Sequence, residues 1–103
     1  MKLSLGYITA PTKIEAKEIV LELLERGLIA CANILPGAES YYVWDDEIHQ
    51  EKEVVIILKT QVKNEGTIIK VVKKMHSYEC PCIVFLPLSH GNKDFLKWIK
   101  SSC

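Results

Sequence analysis

Ser40-Tyr41-Tyr42-Val43-Trp44-Asp45-Asp46-Glu47-Ile48-His49-Gln50-Glu51-Lys52-Glu53-Val54-Val55-Ile56-Ile57-Leu58-Lys59-Thr60 is the stretch that decides the fold. It reads as two strands joined at Asp45-Asp46, a turn signal weaker than Asp-Gly because Asp tolerates positive φ less well than Gly. With the turn centred there, Tyr42 falls opposite His49 and Glu39 opposite Lys52. The second strand, Glu47–Thr60, is polar in its first half and apolar from Val54 to Leu58. That change predicts a ribbon with an exposed tip and a base inside a buried sheet. At about 3.3 Å per residue its fourteen residues span about 46 Å. A compact chain of 103 residues has a radius of gyration of about 13 Å and a diameter of about 30–35 Å. The ribbon therefore overhangs its own fold. Exposed ribbon edges carrying Tyr41, Tyr42, Val43, Trp44 and Ile48 invite pairing, and a closed cyclic oligomer covers every ribbon equally. The competing arrangement has the ribbon fold back at Pro36-Gly37 over its own sheet.

Outward from the ribbon, Ile29–Leu35 is apolar and β-prone, and Pro36-Gly37 interrupts it as a bulge or bend. Before it, Lys2–Thr9 reads as a strand ending at Ala10-Pro11. Thr12-Lys13-Ile14-Glu15 matches a capping box, in which Glu15 reaches back to the Thr12 N–H. Ile14, Ala16, Ile19, Val20, Leu23 and Leu24 continue with helical spacing, so a helix is predicted over Thr12–Arg26 with Gly27 as its left-handed stop. After the ribbon, a second helix is predicted over Lys63–His76, with His76 complementing its C-terminus. A strand follows over Cys82–Leu88, with Pro87 near an edge, then a short helix capped by Asn92 and running to Lys100. The order is strand, helix, two strands, helix, strand, helix. The fold class is α+β: a ferredoxin-like split βαβ sandwich with a long hairpin and a short C-terminal helix, in one domain over residues 1–103. The long hairpin argues against a small doubly wound sheet.

Composition excludes several function classes. Thirteen Lys+Arg balance thirteen Asp+Glu for a net charge of 0, so the basic excess of a nucleic-acid binder is missing. No apolar stretch approaches the roughly 20 residues that cross a membrane, and the N-terminal residues do not read as an export signal. The cysteines Cys31, Cys80, Cys82 and Cys103 therefore read as reduced thiols of a cytoplasmic protein. The usual catalytic templates are missing: no Gly-x-Ser-x-Gly, no phosphate-cradling loop and no His-Glu-x-x-His. Cys31, in an apolar strand, reads as a buried and inert thiol. Lys59 reads as a snorkelling or anion-binding side chain.

One segment concentrates chemistry. Met75-His76-Ser77-Tyr78-Glu79-Cys80-Pro81-Cys82 holds a thioether, an imidazole, a carboxylate and two thiols. Soft sulfur and imidazole ligands suit copper or zinc. The spacing is not Cys-x-x-Cys and has no second matching pair, so a closed four-ligand zinc site is unsupported. The same segment also reads as a helix-to-strand connection whose thiols are small apolar fillers.

Ile8-Thr9-Ala10-Pro11, Leu28-Ile29-Ala30-Cys31-Ala32-Asn33-Ile34-Leu35-Pro36-Gly37, Tyr42-Val43-Trp44, Glu51-Lys52-Glu53, Leu58-Lys59-Thr60, His76-Ser77-Tyr78-Glu79-Cys80-Pro81 and Gly91-Asn92 resemble the CutA divalent-cation-tolerance proteins in order and spacing. The resemblance implies a ferredoxin-like protomer, a homotrimer interlocked by long hairpins and a cytoplasmic location. It also implies a non-enzymatic role binding divalent metal ions, notably copper, while the balanced charge and the lack of a long apolar stretch argue against a nucleic-acid or membrane partner. Copper-binding members have Cys before Thr-Ala-Pro and two adjacent His before Pro-Tyr. This chain has Ile8 at the first place, Met75-His76 at the second, Ser77 for the Pro, and Cys82 where the family usually has Glu. The implied metal residues are thus His76, with Met75 as a soft substitute, Glu79 and Cys82. Two further roles share this architecture: a trimer that binds a small-molecule signal, resembling the nitrogen-regulatory trimers, and a structural anchor protein.

Overall fold

The computed structural model describes residues 2–103. Strand β1 (Leu3–Ala10) leads to helix α1 (Lys13–Glu25), then to strands β2 (Cys31–Trp44) and β3 (Glu47–Gln61). A short 3-10 turn over Val62–Asn64 precedes helix α2 (Glu65–Met75), strand β4 (Ile83–Leu88) and helix α3 (Lys93–Ser102). The four strands form one antiparallel sheet in the order β2-β3-β1-β4, which is the ferredoxin-like α+β arrangement expected from the element order.

Period-2 alternation builds the core. Ile8 and Ala10 of β1 and Val54, Ile56 and Leu58 of β3 share one sheet face. They pack with Ala16, Ile19, Val20 and Leu23 of α1 and Ile68, Val71 and Val72 of α2. Gly6 is fixed by the same packing: a Cβ there would stand 2.7 Å from Leu58 Cδ1. Helix α3 packs on β1 and β3 and buries Ile99 completely. Pro87, opposite Ser4, lies on the edge strand β4, where its missing N–H costs no ladder bond.

The ribbon follows the expected register. Tyr42 pairs with His49 and Glu39 with Lys52, and the register shifts between Leu35 and Ala38. Gly37 takes φ +83° there. Asp45 and Asp46 have φ of 53° and 61°, so both central residues of the two-residue turn are left-handed, as a type I′ hairpin demands. The ribbon does not fold back over its sheet. Val43 is 69% and Ile48 80% exposed, and the longest dimension of the chain is 44 Å against 26 and 22 Å for the others.

Local readings need correction at three helix ends. Thr12 caps α1 by accepting from the Glu15 N–H at 3.1 Å, but the Glu15 carboxylate does not return to Thr12. It accepts instead from the backbone N–H and hydroxyl of Ser77, both at 3.1 Å. Helix α2 stops at Met75, because His76 is already extended (φ −71°, ψ 138°). Asn92 precedes α3 without a side-chain cap bond. Cys31 is half-buried, since β2 is an edge strand of the sheet.

Candidate functional site

The end of α2 sends consecutive residues in different directions. Neighbours in a helix differ by about 100° around its axis, so Met75 and His76 diverge as the helix stops. Met75 packs against the core and lines a groove between α1 and α2 with Glu22, Arg26, Lys70 and Lys73. The His76 side chain turns inward and is fully buried. Its Nε2 donates to the Thr9 carbonyl at 2.7 Å, and its Nδ1 accepts from the Tyr78 N–H at 3.1 Å. Those partners place the ring proton on Nε2. Glu15 Oε2 stands 3.4 Å from Nδ1. Both ring nitrogens are therefore engaged, and the imidazole works as a bracket joining the end of β1 to the Ser77–Cys82 connection.

That bracket sets the next residues against the ribbon. Tyr78 tilts on the His76 ring, centroids 4.8 Å apart, and its hydroxyl donates to Glu53 Oε2 at 2.8 Å. Tyr42 donates to Glu51 Oε1 at 2.9 Å and stacks on His49 at 5.5 Å. Between connection and ribbon lies a cleft of about 700 Å³, whose polar walls come from Glu51, Glu53, Tyr78, Glu79, Cys80 and Cys82. No Lys or Arg lines it.

The electrostatics follow from those walls. Burial, then the Glu53 hydrogen bond, pushes the Tyr78 phenol far above its ordinary value. The Tyr42 phenol is raised by its hydrogen bond to Glu51. Burial, then the charge of Glu53, pushes the Cys82 thiol up. Each shift favours the neutral form, so the formal charge of the cleft comes from Glu51, Glu53 and Glu79. Such a site attracts cations and offers them oxygen and sulfur donors.

Of the four residues named from the sequence, Glu79 and Cys82 share this cleft. His76 supports it from behind, and Met75 lies in the other groove. Among the described residues no three or more of His, Cys, Asp and Glu are set to enclose a metal ion, so the donors of one chain form an open wall. Sequence reasoning missed Glu15 as a tie for Ser77. It also gave Glu51 and Glu53 no role in a site, although their spacing of two on one strand was a signal that both face the same side. All four cysteines are free. No helix among the described residues is long and apolar enough to cross a membrane.

A sequence model of the CutA1 divalent ion tolerance protein family matches residues 4–102. The divalent-cation tolerance protein CutA of Citrobacter koseri is 39% identical over 94 residues, covering 91% of this chain and 82% of that protein. The structure resembles CutA1 of Oryza sativa with a TM-score of 0.96 at 32% identity, covering 99% of this chain and 94% of the other. It also resembles a protein of Archaeoglobus fulgidus described as periplasmic divalent cation tolerance protein CutA. There the TM-score is 0.93 at 40% identity, with 97% of both chains covered.

Proposed function

The chain belongs to the CutA1 divalent ion tolerance family, and from that membership we propose that it is a non-enzymatic, cytoplasmic homotrimer binding a divalent cation, copper foremost, in the cleft between the Ser77–Cys82 connection and the ribbon. The observation that carries this reading is the composition of the cleft wall: three carboxylates and two thiols, with no Lys or Arg. Glu79 and Cys82 are the proposed donors. His76 positions them through its bonds to Thr9 and Tyr78, and Met75 stays outside the donor set.

The trimer draws its support from the ribbon. Tyr41, Val43, Trp44 and Ile48 are more than half exposed within one chain, and a two-stranded ribbon has little stability alone. Burial of apolar surface stabilises by about 25 cal/mol per Å², so covering these side chains with another copy is favourable. Cyclic closure treats all copies alike. Because the ribbon also forms one wall of the cleft, assembly brings a second chain close to the donors.

Calorimetric titration with Cu²⁺ tests the binding claim. We expect a saturable heat in the wild type and an affinity loss of about 10-fold or more, the scale on which metal-site substitutions act, in both Glu79→Gln and Cys82→Ser. Equal affinity in all three proteins would remove the cleft from the proposal. Saturable binding of a small metabolite with no heat from metal would favour a signal-binding trimer instead.

A further inference from the structure

The groove between α1 and α2 gathers charge on a chain whose net charge is 0. Its lining sets the cations Arg26, Lys70, Lys73 and Lys74 against one carboxylate, Glu22. That carboxylate is already engaged, since Glu22 Oε2 accepts from Arg26 Nε at 2.6 Å. The three lysines are exposed, and among the described residues none of them has an ion-pair partner. Lys73 and Lys74 stand in the last turn of α2, where cations complement the helix dipole. Lys70 lies before that turn, so the dipole does not account for the cluster. Residues four apart share a helix face, which orders the groove into two stripes. Lys70 and Lys74 form a basic one, and Val71 and Met75 form an apolar one about 100° further round the axis. Val71 is buried and Met75 half-buried, so the apolar stripe is a floor and the lysines are its rim.

We propose that this groove docks an acidic amphipathic helix of a partner protein, one with a stripe of carboxylates beside a stripe of aliphatic side chains. Three features select that partner. Its carboxylates bring the charge that Lys70, Lys73 and Lys74 lack, which steers encounter and fixes orientation. Its aliphatic stripe covers Val71 and Met75 and removes them from water. Its stripes also repeat with the period of those on α2: four residues advance about 6 Å along a helix axis at 1.5 Å each. Matching an apolar helix face to a groove in this way is a recurring mode of peptide recognition. A nucleic acid fits less well, because its phosphates would engage the lysines and leave the apolar floor without a counterpart. The groove is separate from the cation cleft, since no residue lines both, and the two readings stand or fall independently.

Fluorescence anisotropy with the full-length protein tests this. The probe is a labelled synthetic helix of repeating Glu-Leu-Ala-Ala, which carries the two stripes side by side. We expect saturable binding at low ionic strength by the wild type. Binding should weaken about tenfold in the triple variant Lys70→Gln, Lys73→Gln, Lys74→Gln, because each exposed charge pair contributes about twofold. The three side chains are exposed and Gln is a good helix former, so this variant keeps its fold. A second probe with Ser in place of every Leu should bind the wild type more weakly. No binding of the first probe, or equal affinity in the wild type and the triple variant, overturns the groove as the site. Equal affinity for the Ser probe overturns the apolar floor as part of it. Equal affinity for an oligothymidylate of the same charge overturns the helical partner in favour of unselective attraction of polyanions.

Discussion

Glu15 and Ser77 are 62 residues apart in sequence and meet in the fold, and much of the cleft depends on side chains of this kind. The pattern Thr12-x-x-Glu15 satisfies a local rule, and half of that rule holds: Thr12 caps the helix. The carboxylate had a choice between one local N–H and two tertiary donors on Ser77, and the tertiary pair won. A local motif carries no information about such a competitor. The same holds for His76, whose ligand-like chemistry was legible but whose burial against the Thr9 carbonyl was not. Tyr78 offers a residue-scale test. Its phenol is raised above the unfolded-state value of 10.0 by burial and by Glu53, so the native state holds that proton more tightly than the unfolded chain. The stabilisation is fully present below pH 10.0. It is lost as pH rises through and above that value, because the unfolded chain releases its proton first. Denaturant melts across this alkaline range should show a shallower loss of stability in Tyr78→Phe than in the wild type. Parallel curves would contradict the role given to the Tyr78–Glu53 bond.

At the scale of elements, the strands and the Thr12 and Gly27 ends of α1 were legible, while the end of α2 and the cap of α3 were not. The pairings Tyr42–His49 and Glu39–Lys52 follow once the turn is placed at Asp45-Asp46, because side chains in a strand alternate strictly and a one-residue slip moves every one to the other face. Helix ends lack such a lock. Helix α2 ends one residue early because His76 becomes extended, and Met75, its last residue, lines the α1–α2 groove. The turn itself carries a removable cost. Asp46 stands at φ 61°, so Asp46→Gly should stabilise the ribbon by about 0.5–1 kcal/mol, less than the roughly 1–2 kcal/mol a Cβ usually costs there because Asp is among the tolerant residues. Amide hydrogen exchange reads this as slower opening near Trp44 and Glu47, with the core strands unchanged. Unchanged or faster exchange at the tip would contradict the strain assigned to that position.

Over the whole molecule, the ribbon that decides the fold also lines the cleft. Its base belongs to the sheet that buries Val54, Ile56 and Leu58. Its outer half carries exposed aromatics and one wall of the cleft. The chain is accordingly extended, with a radius of gyration of 14.3 Å against about 13 Å for a compact chain of this length. The neutral balance of thirteen cationic and thirteen anionic side chains conceals a division that only the fold reveals. Lys70, Lys73 and Lys74 gather at the α1–α2 groove, while Glu51, Glu53 and Glu79 gather at the cleft. Sequence order alone hides this, because the cleft joins two segments separated by the whole of α2. Native mass spectrometry of the copper-loaded protein tests the central claim, that this cleft captures a cation within an assembly of three chains. Three chains of 11.7 kDa each give about 35 kDa, and we expect that assembly to carry one copper per chain. Particles that stay free of copper under saturating metal, or single chains at 11.7 kDa, would contradict it.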